Sequence, residues 1–431
     1  MEAAIWRPFL SLWFMTLNYV WIGFLLIGFV VGIFKAFVLG NTGLLSDMMN
    51  ALFDAAKNGF EISIGLAGIM SLWLGIMKIG ERAGVLRVFA RAVSPLFRTL
   101  FRGIPKESPA YGSVIMNLSA TMLGLDNAAT PLGLQAMSEL QEINPEKDTA
   151  SDAQVMFLVL NTAGLTLIPT SVIAMRQTIA MEQHVANFNA ADIFLPTLIA
   201  TFIAFLSGMI IVGVVQRINL FRLPVILFVC GFVGLIGLLH YSLSGMPAEQ
   251  MNKVIGTIGS TVILSVVALF VTAGMLKRQR VYDNFIEGAK EGFNVAVRII
   301  PYLVAMLAAI AIFRASGCMD YVVNGIGRLA AACGLRTEFV PTLPIALMKP
   351  LSGSGARGLM VDVLRHYGVA SFQGKLAAII QGSTETTFYV VAVYFGSVGI
   401  KNTRQALACG LIADLIGLVA AIVVGYIFFM P

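Results

Sequence analysis

Apolar residues in this chain gather into windows of about 20 residues, the length that carries a helix across a hydrocarbon core of about 30 Å. Such windows lie at residues 15–39, 60–80, 153–175, 191–215, 222–241, 254–276, 294–314, 376–397 and 405–430, so nine crossings are predicted. Two further apolar segments, 108–136 and 339–366, are interrupted by Gly, Pro, Asn and Asp or Arg. Interrupted segments of that kind predict broken helices or re-entrant hairpins rather than clean spans. The first apolar run, Leu10 to Leu39, is longer than a signal-peptide core and lacks a small-residue cleavage site, so it is expected to stay as a span.

The order of elements repeats. AKNGF at Ala56–Phe60 matches AKEGF at Ala289–Phe293, and the same offset sets Arg82–Gly84 against Ala315–Gly317. In each half a span is followed by a glycine-rich broken segment, a span with a polar centre (LNTAGLTLIPTS, then IIQGSTETTFYV) and a final apolar span; LIAT at Leu198 corresponds to LIAD at Leu411. The expected fold is an all-α polytopic membrane protein of two inverted repeats, each with four spans and one broken or re-entrant segment, joined by an extra span. The first repeat is placed at 1–217, the linking span at 218–253 and the second repeat at 254–431. An even unit followed by one extra crossing turns the second copy upside down. Loop charges agree: Lys78, Arg82, Arg87, Arg91, Arg98, Arg102 and Lys106 face the single acid Glu81 in the first copy, whereas in the second the bias moves to Lys277, Arg278, Arg280 and Lys290 in the preceding loop. That puts the N-terminus inside and the C-terminus outside. Arg87, Arg91, Arg98 and Arg102 fall on one helical face, predicting a helix along the inner membrane surface, kinked at Pro95.

Composition narrows the function classes. Of 431 residues, 58% are apolar and 12% charged, about half the charged share of a soluble domain. The net charge of +6 belongs to residues flanking spans, with no aromatic-basic groove, so nucleic acid is not an expected partner. Cys230, Cys318, Cys333 and Cys409 are scattered singly and suggest packing, and the isolated His184, His240 and His366 read as loop or interfacial residues, so no metal site is expected. No GxxxxGK[ST] loop accompanies the spans, and no nucleophile, base and orienting group assemble, so neither ATP-driven transport nor an intramembrane enzyme is expected.

Four polar runs occur at apolar depth: 117–133, 161–171, 349–358 and 381–387. Interrupted segments of inverted repeats meet near the bilayer midplane, where freed backbone groups and half-helix ends hold a solute or ion. Candidate solute- or ion-binding residues are Asn117, Ser119, Asp126, Asn127 and Thr130 in the first run and Asn161, Thr162 and Thr166 in the second. In the second copy they are Lys349, Ser352, Ser354 and Arg357, then Gln381, Ser383, Thr384, Glu385 and Thr386. Gly353, Gly355 and Gly358 permit close backbone approach, and with Lys349 and Arg357 they suit an anion or carboxylate cradle; tight helix packing is the plainer reading of the same glycines. Asp126 is open to three roles: binding a cation, pairing with Arg357 or Lys349, or capping a half-helix that begins near Ala128. A carboxylate at the centre of a span costs about 2.5–3.5 kcal/mol, which marks Glu385 for function. The halves are not equivalent there, because Glu385 aligns with Leu165.

These motifs carry a family resemblance. WLGIMKIGERAG, LGLDNAATPLG and LNTAGLTLIPTSVIAMR in the first half resemble spore maturation protein A; KPLSGSGARG and QGSTETTFYVVAVYFGSVGIK in the second resemble spore maturation protein B. Together they cover nearly the whole chain, which looks like a natural fusion of the two. Both belong to the broader group with gate, or nucleoside-recognition, domains, seen also in concentrative nucleoside transporters and the ferrous iron transporter B. The resemblance implies a transporter-like fold in a bacterial inner membrane. In the nucleoside transporters a Gln-Thr-Glu run at a hairpin-to-helix junction binds the nucleoside, and Ser383, Thr384 and Glu385 look similar to it. The expectation is a secondary transporter of a small polar or anionic solute, nucleoside-like or carboxylate-like, working by alternating access. It would need no cofactor beyond a coupling Na⁺ or H⁺; its partners would be the solute, membrane lipids and, if it self-associates, a second copy. The alternative is a non-transporting membrane scaffold or assembly factor whose polar runs serve helix packing.

Overall fold

A computed structural model describes residues 7–105, 107–243 and 248–430, with the side chains of 7–17, 126, 127, 240, 243, 248, 249 and 252 outside the description. The described chain is helical throughout, apart from one isolated β-bridge between Thr149 and Asn402. Helices α1 (Arg7–Phe37) and α2 (Leu44–Arg82) lead into α3 (Val85–Leu100), which lies beyond a left-handed Gly84 at φ 78°. Two short helices, α4 (Pro109–Met122) and α5 (Asp126–Glu142), pack on each other as a hairpin. Then come α6 (Asp152–Thr162), α7 (Thr170–Glu182) and the apolar α8 (Phe194–Val215). After α9 (Leu223–Leu243) the series recurs: α10 (Ala248–Leu276), α11 (Val281–Ala315), α12 (Cys318–Ala332), the hairpin of α13 (Leu343–Met348) and α14 (Gly353–Tyr367), then α15 (Phe372–Ser383), α16 (Thr387–Ser397) and α17 (Ala406–Phe429). Gly317, at the position of Gly84 in the second series, is also left-handed, with φ 81°. The repeat therefore extends to single backbone conformations that favour glycine.

Among the described residues seven helices are long and apolar enough to cross a membrane: Asn18–Phe37, Leu44–Arg82, Ala190–Val215, Lys253–Leu276, Val281–Ala315, Phe372–Ser397 and Ala406–Phe429. The expected crossing at 222–241 falls on α9, Leu223–Leu243, which is apolar over its described stretch Leu223–Leu239. The expected span at 153–175 is not one helix. It stops at Thr162 and restarts at Thr170, with Pro169 at the N-cap of the second piece, where its missing N–H breaks no ladder bond. The Phe372–Ser397 span is likewise interrupted, between Ser383 and Thr387, with no proline in the gap. The two interrupted segments at 108–136 and 339–366 form the α4–α5 and α13–α14 hairpins. Helix α3 buries Leu86, Ala90, Leu96 and Phe97 and continues through Pro95, while Val88 is exposed with the arginines. Lys106 lies outside the described residues.

Local capping explains where the short helices begin. Ser151 and Gln154 form a reciprocal capping box at the start of α6. Ser352 Oγ accepts from the Gly355 N–H at the start of α14, and Ser371 Oγ from the Gly374 N–H at the start of α15. Equivalent helices of the two series also meet: α2 lies along α11, and α8 along α17. Gly59 of α2 sits on the Val304 backbone, and Gly292 of α11 on that of Met70 and Ser71. The main apolar core draws from both halves, including Ile62, Val172, Leu303, Leu359, Ile379 and Leu418. Arg176 is fully buried and ties them further, pairing with Asp192 and donating to Ala190 O at 2.8 Å and Val369 O at 3.1 Å. Lys375 reaches the other Asp192 oxygen at 3.2 Å.

Candidate functional site

The two broken helices and the two hairpins meet. The Leu167 N–H, in the break between α6 and α7, donates to Met122 O at the turn of the first hairpin over 2.8 Å. Phe388 N–H, at the start of α16, donates to Pro350 O at the turn of the second hairpin over 3.2 Å. A third bond crosses between copies, from Glu385 N–H to Thr162 O at 2.9 Å. Breaking a helix leaves backbone donors and acceptors without partners in their own ladder, and these three bonds re-satisfy some of them. Glycine allows the approach. Gly124, at φ 72°, would place a Cβ 2.8 Å from Ile168 O, and Gly164 would place one 3.3 Å from Cγ of Glu385.

Around this junction is a cavity of about 250 Å³. Every one of the four polar runs contributes to its wall: Thr121 and Thr130 from the first hairpin; Asn161, Thr166, Thr170 and Ser171 from the first break; Lys349 and Arg357 from the second hairpin; Gln381, Thr384 and Glu385 from the second break. Tyr389 and Tyr394 close it from α16. Gln381 Oε1 and Thr384 Oγ1 are buried and have no hydrogen-bond partner among the described residues, so acceptor and hydroxyl capacity remains at the wall. A cavity with a few converging polar groups among apolar ones is the usual form of a small-molecule site, and this one lies just under the common size range of roughly 300–1,000 Å³.

Eight of the sequence-predicted residues line the cavity: Thr130, Asn161, Thr166, Lys349, Arg357, Gln381, Thr384 and Glu385. Glu385 sits in the break between α15 and α16, not within a continuous span. Seven others stand behind the wall. Asn117 donates to Ala129 O at 2.8 Å and to the Tyr394 hydroxyl at 3.3 Å, holding the hairpin and aiming the tyrosine. Thr162 and Ser383 turn their hydroxyls back to Val159 O and Ile380 O. Ser352 caps α14 and contacts Ser354 Oγ at 3.2 Å, so these two serve the helix start rather than the cavity wall. Ser119 is fully buried, and Thr386 packs against Gly353. Helix α5 starts at Asp126 rather than near Ala128, and the side chains of Asp126 and Asn127 lie outside the described residues, so a pairing of Asp126 with Arg357 does too.

Sequence reasoning passed over Thr121, Thr170, Ser171, Tyr389 and Tyr394 as wall residues. It also passed over Asp414, which is 1% exposed on α17 and accepts from the Thr387 hydroxyl at 2.5 Å. The signal for Tyr394 was its place two helical turns beyond the polar run; the signal for Asp414 was the acid in LIAD where the first copy has LIAT.

Comparison with known proteins agrees with this duplicated architecture. The model of the gate family, described as nucleoside recognition, matches residues 63–178 and 296–401. Spore maturation protein B of Bacillus subtilis (strain 168) is 44% identical over 172 residues, 40% of this chain and 95% of that protein. Spore maturation protein A of the same organism is 39% identical over 194 residues, 45% of this chain and 92% of that protein. With the gate model matched twice and both relatives covered almost end to end, the chain belongs to the gate, or nucleoside-recognition, family of membrane proteins, as a fused form of spore maturation proteins A and B.

Proposed function

We propose that the chain is a secondary transporter that moves a small polar or anionic solute, of nucleoside or carboxylate type, across a bacterial inner membrane by alternating access. The observation that carries this reading is the shared cavity: both hairpins and both broken helices, two from each copy, contribute to one wall bearing Lys349, Arg357 and Glu385. The pairing of α2 with α11 and of α8 with α17 supports two copies related by a pseudo-twofold axis, and a single linking helix, α9, between them is what an inverted arrangement needs. In such an arrangement the site stays fixed while one hairpin and then the other opens. Two cationic side chains favour an anionic or electron-rich group, and Gln381, Thr384 and the tyrosines offer directional contacts for a ribose or a base. Coupling to Na⁺ or H⁺ would supply the free energy.

The test is uptake into proteoliposomes of a panel of labelled nucleosides and small carboxylates. Wild-type protein should accumulate at least one of them, and Glu385→Gln and Arg357→Ala should each reduce the rate at least tenfold while the purified protein stays folded and monodisperse. Retained uptake in both variants would refute this assignment of the site. A scaffold would transport nothing and would show no thermal stabilisation by any solute in the panel.

A further inference from the structure

Asp414 is the most deeply buried carboxylate among the described residues. Its Oδ2 accepts from Thr387 Oγ1, and its Oδ1 has no hydrogen-bond partner among the described residues. Positions one turn to either side on α17 show what it faces. Gly410 lies against the Thr162 hydroxyl and the Thr387 side chain, and Gly417 against the Thr384 methyl. The carboxylate thus looks onto threonines from the breaks of both copies, one of which, Thr384, also lines the cavity and has its own hydroxyl unpartnered.

The duplication provides an internal comparison. At the equivalent place the first copy has Thr201, fully buried, whose hydroxyl donates to Leu198 O at 3.0 Å and to Thr166 O in the first break at 3.4 Å. A neutral hydroxyl therefore suffices to pack an apolar helix against a helix break. The second copy replaces it with an acid that leaves one oxygen uncompensated, and the same copy has Glu385 where the first has Leu165. Both of these replacements are carboxylates, and Glu385 adjoins Thr384, against which Gly417 of α17 packs.

We propose that Asp414 is a proton-exchange site of the transport cycle, taking up a proton at Oδ1 and returning it when the cavity opens to the other side. The proposal rests on the transporter reading and names its coupling residue. A proton fits better than a metal ion because no group of three or more His, Cys, Asp or Glu side chains gathers there among the described residues, and protonation neutralises the charge at an oxygen that has no donor to compensate it. A hydronium ion in the cavity water gives up the proton: its O–H bond breaks as one forms at Oδ1, water is left, and release reverses that step. Besides Lys349 and Glu385, the neighbouring elements bring few titratable groups. Helix α8 has none, α6 has Asp152 paired with Arg404, and α15 has Lys375 paired with Asp192. Helix α16 brings Tyr389 and Tyr394, α10 carries Glu249 and Lys253 in its first turns, and α17 itself adds Cys409 and Tyr426.

Infrared difference spectra of the full-length protein in nanodiscs, with pH stepped from about 5 to about 9, test this without any solute. Wild type should show a protonated-carboxylic-acid C=O band that titrates as one group. The band should be lost in Asp414→Asn and in Asp414→Thr, the replacement that the first copy already tolerates, and its midpoint should move in Glu385→Gln. A band that survives both Asp414 substitutions, or that never forms in wild type, would overturn the proposal. Loss of the band on exchanging choline chloride for NaCl at fixed pH would overturn it too, in favour of a cation site. Absence of uptake for every solute would instead refute the transporter reading, with the band still in place.

Discussion

Replacing Gly124 by alanine probes whether the first hairpin is held to the first helix break as closely as the geometry requires. Two separate costs are expected. Gly124 has φ 72°, and a residue with a Cβ pays roughly 1–2 kcal/mol to adopt that conformation. Its Cβ would also stand 2.8 Å from Ile168 O, a backbone atom that cannot rotate away. Relieving such a contact by shifting packed backbone costs about 1–3 kcal/mol, and the shift strains the neighbouring bond from Leu167 N–H to Met122 O. The sum is about 2–5 kcal/mol. Gly84 separates the two terms, because it has φ 78° but nothing within 4 Å of its would-be Cβ. Gly84→Ala should therefore cost only the conformational part, and Gly112→Ala, with open space and an ordinary helical φ, should cost nothing. Chemical unfolding of the three purified variants in one detergent would rank them. If Gly124→Ala lost no more stability than Gly84→Ala, the hairpin and the break would not be in the contact described, and the cavity built on that contact would fall with it.

Further expectations concern the frame around the cavity. Arg176→Met should destabilise the protein by about 3–5 kcal/mol, because it leaves Asp192 with Lys375 alone and strips Ala190 O and Val369 O of their buried donor; folded yield and unfolding midpoint would show it. Ser151→Ala removes the cap of α6 and should cost about 1 kcal/mol in the same unfolding assay, with Gln154 left without its reciprocal partner. Asn117→Leu should lower uptake more than stability if its contact with Tyr394 positions that ring at the cavity, and an equal loss of both would assign Asn117 a purely structural role.

Much of this frame was legible in the chain. Matching pentapeptides set the repeat offset, and Gly84 and Gly317, placed opposite each other by that offset, share a left-handed backbone. The four polar runs could be found because each interrupts an apolar background. What hydropathy could not resolve was the break itself: a window over 153–175 averages the apolar flanks across LNTAGLTLIP and reads through the gap at 163–169. Ser352 and Ser354 looked like solute ligands because sequence shows a hydroxyl without its direction, and here the direction is set by the unfilled N–H groups of α14. Asp414 escaped notice for the opposite reason. A single acid in an otherwise apolar helix gives no pattern; only the threonine at the matching place in the first copy makes it stand out.

The contact of α2 with α11 runs along two of the longest helices in the molecule and is closed by glycines set against the opposing backbone. A surface shaped that closely to its counterpart has the character of a permanent subunit boundary, drawn here inside one polypeptide. Encoding both sides of it in a single gene fixes their stoichiometry at one to one, and neither half need wait in the bilayer with that face bare.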